Sequence, residues 1–477
     1  MTQQQERTRA AGLVVLATLV LALATGTALA GPGVLVVTSD YETGSLSLLP
    51  ADAEALQVDL LTVHGDAVAQ YRQGLVYVLN RLGQDNVLVL EPARLDAPLR
   101  QFSVGNGANP QDIEVAGLGK AYVSRLGSTS VLVVDPGTGE ARGEVDLSPF
   151  ADADGLPEMA EMALVGDRLY VACQRIDRDN NWAPVGDSYV AVIDTATDAL
   201  VDQDAAQPGV QGIRLASANP GSLVPAGSRL LVSCSGAFGV ADGGIEAVDL
   251  ESGQASLLIG EEALGGDVTS LAMVTVRRGY VVISDANFAN SVRPVDLETG
   301  QVGAPLERHS GGYTPSLVTD GERLYVADRG SFTDAGAAGL LVYDAGDGSL
   351  LAGPLYTGLP PASLAVLEEV RVPTAVLASG AARPSAAQLG PAYPNPFNGS
   401  VHLPLVAPGE GVPVSLDVWD VLGRRVRTLV AGSMSAGPQV VAWDGRDGQG
   451  RHAGSGVYLV RLEAGEVHAT ARILLLR

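Results

Sequence analysis

Two cysteines, Cys173 and Cys234, are all that the chain carries in 477 residues. So few exclude a disulfide framework, and no histidine or further cysteine stands at ligand spacing to build a zinc centre around them. Lysine is nearly absent, Lys120 being the single one, and Asp plus Glu outnumber Lys plus Arg by 54 to 30. A surface with that deficit repels phosphate, which excludes a nucleic-acid backbone as partner. Long apolar runs are scarce too. The strongest, Leu13–Ala24, is too short to span a bilayer, so no integral membrane span is expected in the mature chain.

That run has a different reading. Arg7 and Arg9 precede it, and Ala28-Leu29-Ala30 follows with the small-x-small pattern of a signal-peptidase site. Residues 1–30 are therefore expected to be a signal peptide, with Gly31 as the mature start. No cysteine lies beside the cleavage site, which argues against a lipid anchor. The destination is the periplasm and then secretion or the cell surface.

What is present is repetition. A short apolar strand recurs as Leu35-Val36-Val37, Val76-Tyr77-Val78, Ala121-Tyr122-Val123, Leu169-Tyr170-Val171, Leu230-Leu231-Val232, Gly279-Tyr280-Val281 and Leu324-Tyr325-Val326. The period is about 40–50 residues in most units, and helical periodicity is almost lacking. A second strand follows and ends in an acid, as in Val131-Leu132-Val133-Val134-Asp135. Next comes a turn such as Gly137-Thr138-Gly139, where Gly supplies the positive φ of a tight hairpin. Four strands per unit predict an all-β, seven-bladed β-propeller over residues 31–370. The first unit lacks an inner strand and the last has one to spare, Ser363-Leu364-Ala365-Val366-Leu367. That segment is expected to complete blade one and close the ring.

These units resemble the YVTN-type repeats of surface-layer and quinoprotein-like propellers, on Tyr325-Val326-Ala327-Asp328-Arg329, Tyr77-Val78-Leu79-Asn80-Arg81 and the Val-x-Val-x-Asp strands. The resemblance is specific for fold, and propellers host many activities.

Residues 371–392, rich in Ala, Pro, Ser and Gly, read as a linker. Residues 393–477 alternate short strands with turns, which predicts a small Ig-like β-sandwich. They resemble the C-terminal sorting domains of type IX secretion cargo and the Ig-like domain of flagellar hook-assembly proteins. The matching residues are Asn395, Pro396 and Phe397 at the start, then Gly423, Trp443 and Gly456. The resemblance implies secretion machinery as the partner of this domain.

Four acids, Asp66, Asp112, Glu158 and Asp267, stand just ahead of inner strands, each 10 to 13 residues before the blade's Tyr. Equivalent positions sit at one height around a propeller axis, so these carboxylates either ring a channel mouth or stand as four separately solvated loop acids. Converging carboxylates call for a cation, with Ca²⁺ the candidate and no other cofactor indicated. Arg81, Arg125 and Arg329 recur after their strands and either bind an anionic ligand or pair with blade acids. His64 and His309 precede inner strands, and lactonase-like propellers place acid, His and Arg residues near the channel. No Gly-x-Ser-x-Gly elbow accompanies them. Cys173 and Cys234 hold equivalent places in successive units, which leaves a disulfide or two buried thiols as alternatives. Asp152-Ala153-Asp154-Gly155 has a trace of a Ca²⁺ loop, and Trp182 sits in the longest insertion. The reading is an exported scaffold that binds a protein or small-molecule ligand. The alternative is a lactonase- or quinoprotein-like enzyme working at the channel mouth.

Overall fold

The computed structural model describes residues 33–367 and 387–476, apart from 52, 181, 310, 332–336, 391, 393–394, 396, 398–400, 408–411, 435–436 and 466. The expected signal peptide, most of the linker and Pro396 lie outside the described residues.

Strands packed on both faces are apolar along their middle, with polar residues only at their ends, and that explains the continuous runs in the sequence. Val34–Ser39, Leu75–Asn80 and Ser130–Asp135 are buried at every position, whereas the rim strand Glu140–Asp146 is exposed at all but one. Seven antiparallel sheets of this kind are described, each running from an inner strand to the rim. The inner strands are Pro361–Val366, Ala67–Arg72, Pro110–Gly117, Met159–Val165, Pro220–Ala226, Asp267–Met273 and Ser316–Thr319. They follow one another around a common axis and return to the first, so the chain is a β-propeller. One apolar layer fills each gap between neighbouring blades.

The ring closes as expected. Pro361–Val366 is the inner strand of blade one, with Val34 opposite Val366, Leu35 opposite Ala365 and Val36 opposite Leu364. Polar side chains on inner strands stitch each blade to the next. Ser363 Oγ accepts the Ala69 N–H at 3.3 Å and Ser316 Oγ accepts Leu364 N–H at 3.3 Å. Asp112 Oδ2 accepts Met162 N–H at 2.9 Å, and Glu161 Oε2 accepts Leu223 N–H at 3.4 Å.

The acids that end the third strands are turn formers. Asp135 Oδ1 accepts the N–H of Gly137 and Thr138, and Asp249, Asp296 and Asp344 do the same two and three residues ahead. Gly139, Gly253, Gly300 and Gly348 then take the positive φ that completes the turn.

Of the two cysteine alternatives, the structure has buried free thiols. Cys173 packs in the layer between blades three and four, Cys234 in the layer between four and five. Equivalent positions thus face successive gaps, and a whole sheet stands between them. Burial pushes the Cys173 thiol up to about 12 and raises Cys234 as well. Neither thiol is expected to react with iodoacetamide in the native chain at pH 8, and both should react in guanidinium. Mass spectrometry would settle it, and native labelling of either thiol would contradict this packing.

The C-terminal sandwich packs Gln388–Leu389, Val401–Ala407 and Gly437–Trp443 against Arg425–Ser433, Pro413–Asp420, Gly456–Ala464 and Val467–Leu475. Trp443 is fully buried at its centre, 5.6 Å from the Phe397 ring and 5.1 Å from Tyr458. Asn395 pins the start of the domain to its last strand, accepting Leu474 N–H and donating to Arg472 O. Gly423 has φ +74° in the turn held by Asp420. Gly456 opens a strand opposite Leu475. The described motif residues therefore do structural work in this sandwich.

Candidate functional site: the loop face of the propeller

The carboxylate ring does not assemble. Asp112 is consumed in the stitch to blade four, and buried Asp267 accepts Gly239 N–H at 2.9 Å. Asp66 pairs with Arg81 at 2.6 Å. Glu158 instead joins Asp152 and Asp154 in a trio of its own. Asp66, Glu158 and Asp267 stand at one level, opposite Arg81, Gln174 and Ser284, while Asp112 lies lower, opposite Ser124; each acid is engaged by groups of its own surroundings and not by the other three.

The arginines are likewise engaged within the fold. Arg81 also donates to Asp66 O and to Gln111 Oε1 on the next blade. Arg125 is buried among Val104 O, Ser130 and Glu144. Arg329 donates to Ser39 O at 2.9 Å and lies over the Tyr41 ring at 4.3 Å, clasping blade seven to blade one. His309 is buried between Thr314 Oγ1 and Asp328, whose Oδ2 is 3.9 Å away, and burial lowers its pKa. His64 Nδ1 accepts Asp66 N–H at 3.1 Å, which shapes the loop.

One charged cluster on the channel wall was not anticipated. Arg72, at the end of its inner strand, donates Nε and Nη2 to Glu114 Oε1 at 3.0 and 2.8 Å and stands 3.9 Å from Asp112. Glu161 extends into the same space from blade four. It is exposed there, yet the surrounding strands and the neighbouring carboxylates push its carboxyl up to about 7. Three acids from two blades thus share one arginine from a third.

The other unanticipated feature is the distribution of aromatics. Inner strands begin where second strands end, so loops leading out of second strands share one face with loops that cross between blades. Six aromatics are exposed among the described residues: Tyr41, Trp182, Phe238, Phe288, Tyr313 and Tyr356. All six lie on that face, joined by Leu82 and Val240. Phe238 and Phe288 meet across blades five and six at 6.5 Å. Tyr41 and Tyr313 come together beside Arg329, Arg81 and Asp66. Only Trp182 was legible beforehand, because it stood in an obvious insertion. The rest are single aromatics in ordinary loops, and only the ring topology gathers them.

The opposite face is built of short polar turns, and the C-terminal sandwich rests there. His402 contacts Glu91, and Pro404, Gln439 and Val440 line a cleft with Gln73, Val115 and Pro136. The aromatic face is left clear of it.

Residues 399–466 match the family described as the FlgD Ig-like domain. No curated protein matches the chain. Among solved structures, PorZ of Porphyromonas gingivalis, described as an essential surface component of the type-IX secretion system, is similar at 13% identity and TM-score 0.43. The similarity covers 92% of this chain and 64% of that one. A putative 6-phosphogluconolactonase from Bacteroides fragilis is similar at 13% identity over 70% of this chain and 97% of that one, with TM-score 0.48. BamB from Moraxella catarrhalis gives 15% identity over 62% and 76%, with TM-score 0.38.

Proposed function

We propose that this chain is an exported, envelope or cell-surface scaffold that grips a partner protein with the aromatic loop face of its propeller. The gathering of the six aromatics exposed among the described residues on one face carries this reading. Exposed aromatics are costly in water, and aromatic anchors supply most of the energy at protein interfaces. A partner protein suits a broad studded face better than a small molecule does, since a small ligand needs an enclosing pocket. The C-terminal sandwich, matched to an Ig-like family over residues 399–466, serves as the handle for a type IX-like export route. Its seat on the opposite face leaves the aromatics free for the partner. The signal peptide at 1–30 brings the chain to the periplasm first.

The test is capture from an envelope extract by the full chain against a Trp182→Ser, Phe238→Ser, Phe288→Ser variant. Each aromatic hot spot contributes ~2 kcal/mol, about 30-fold in Kd, so the variant should lose the captured protein while keeping the parent's Tm. Equal capture by both chains would sink the proposal.

A further inference from the structure

Asp152, Asp154 and Glu158 each bring a carboxylate oxygen within 4.8 Å of the other two. The first two lie on the loop that crosses from blade three to blade four, and Glu158 is the last residue before the inner strand. Asp154 is exposed and Asp152 half-buried, while Glu158 is wholly buried. An acidic cluster on a loop is ordinary in a chain with this excess of acid. What sets this one apart is Glu158 itself. Its Oε2 accepts Ile176 N–H at 3.4 Å, but its buried Oε1 has no hydrogen-bond partner. Arg178 Nε stands 3.7 Å from that oxygen, and the same guanidinium is 3.5 Å from Asp154 Oδ2. Oε1 therefore opens on the side where Asp154 lies.

Arg178 does not satisfy the cluster. Charge-assisted N–H···O bonds run at about 2.7–2.9 Å, and both Arg178 contacts are far longer. Its side chain is also more than a third exposed, so it is free to swing away. The three carboxylates outnumber the guanidiniums near them, Arg178 and, acting on Asp152, Arg175, and the negative charge left over is what a divalent cation offsets. An unpaired carboxylate oxygen buried away from water is costly, and a bound ion would remove that cost.

We propose that Asp152, Asp154 and Glu158 bind one Ca²⁺ at the root of the Trp182 hairpin. The donors are all carboxylate oxygens, with neither imidazole nor thiolate, which selects a hard cation. Three clustered carboxylates with water completing the shell suit Ca²⁺ better than Mg²⁺, which keeps most of its own waters and a strict octahedron. The ion also has a mechanical role. Glu158 is laced to the segment from which the hairpin departs, through Gln174 N–H to its carbonyl and Ile176 N–H to its carboxylate. Binding there fixes the crossing loop and the hairpin together.

The experiment is calorimetric titration of the calcium-stripped full chain with CaCl₂, with MgCl₂ in parallel and melting followed with and without metal. The parent should bind one Ca²⁺ per chain, more tightly than Mg²⁺, and its Tm should rise. Asp154→Asn, a change at an exposed side chain, should weaken Ca²⁺ binding by about tenfold or more, because affinity in such sites follows ligand charge. Glu158→Gln should abolish the calcium-dependent rise in Tm while the stripped protein melts no lower than the parent. Three results would overturn the proposal. One is no Ca²⁺ binding to the parent, another an unchanged response in both variants. The third is a Glu158→Gln chain that melts lower without metal yet keeps its calcium response, since Glu158 would then be Arg178's partner alone.

Discussion

A chain ended at Pro360 is expected to lose the cooperative fold of the whole propeller. The segment it lacks, Pro361–Val366, is the inner strand of blade one and pairs with Val34–Ser39 along its length. Leu364 and Val366 are buried in the layer between blades seven and one. Their side chains alone contribute about 3–6 kcal/mol on burial, against a total stability of roughly 5–15 kcal/mol. Two stitches go as well, those joining Ser363 to Ala69 and Ser316 to Leu364. Val34–Ser39 becomes an open edge, with the aggregation hazard such edges bring. Far-UV circular dichroism of the truncated chain should show no sharp melt, and limited proteolysis should cut in all blades. A chain ended at residue 370, which keeps the strand and drops only the sandwich, should still melt sharply. Leu364→Asp in the full chain should lower Tm strongly by the same route. If the shorter truncation melted sharply with blades two to six protected, closure would be ornamental.

Replacing Arg72 is expected to give the largest effect of any single charge, one that depends on pH. Arg72→Met leaves Glu114, Asp112 and Glu161 without the guanidinium they share on the channel wall. Removing one partner from a buried ionic cluster costs up to 3–5 kcal/mol, and about 2–4 kcal/mol is expected here because Arg72 is half-buried and Glu161 exposed. The sign with pH follows from Glu161. Its folded pKa, about 7, is above the ordinary 4.5, so the folded state holds the extra proton between those values. Stability from this group is therefore present below about pH 4.5 and declines as pH rises through 7. Arg72→Met should steepen that decline, and its cost should be smaller at pH 5, where Glu161 is protonated, than at pH 8. Adding Glu161→Gln should flatten it and recover much of the loss at pH 8. Denaturant melts from pH 5 to 8.5 provide the measurement. A pH-independent loss, or none, would mean that the three carboxylates do not sense one another.

The architecture was legible because it rests on local rules repeated many times. Fully buried strands are apolar along their middle, tight turns need Asp and Gly, and the count of inner strands at the two ends of the repeat implied the closure seen between Leu35 and Ala365. The C-terminal motif was readable for a related reason, since Phe397 and Trp443 build the core that defines the sandwich. The candidate site was much less legible. Spacing before the Tyr-Val strands left open a ring of acids, but Arg81 holds Asp66, Gly239 N–H holds Asp267 and Glu158 turns to Asp152 and Asp154, partners that come from the fold and have no mark in the spacing. For Arg81, Arg125 and Arg329 the sequence left two readings, an anionic ligand or pairing within the blades, and the fold supplies the carbonyls and acids that hold them.

By itself, then, the sequence determined the strands, their turns, the repeat and the need to close it. These depend on neighbours in the chain. Which side chains meet was left to the tertiary structure, because partners such as Arg72 and Glu161, or Phe238 and Phe288, belong to different blades. Their encounter is set by bulges, by the angle between sheets and by which face each loop joins, and none of these has a local signature.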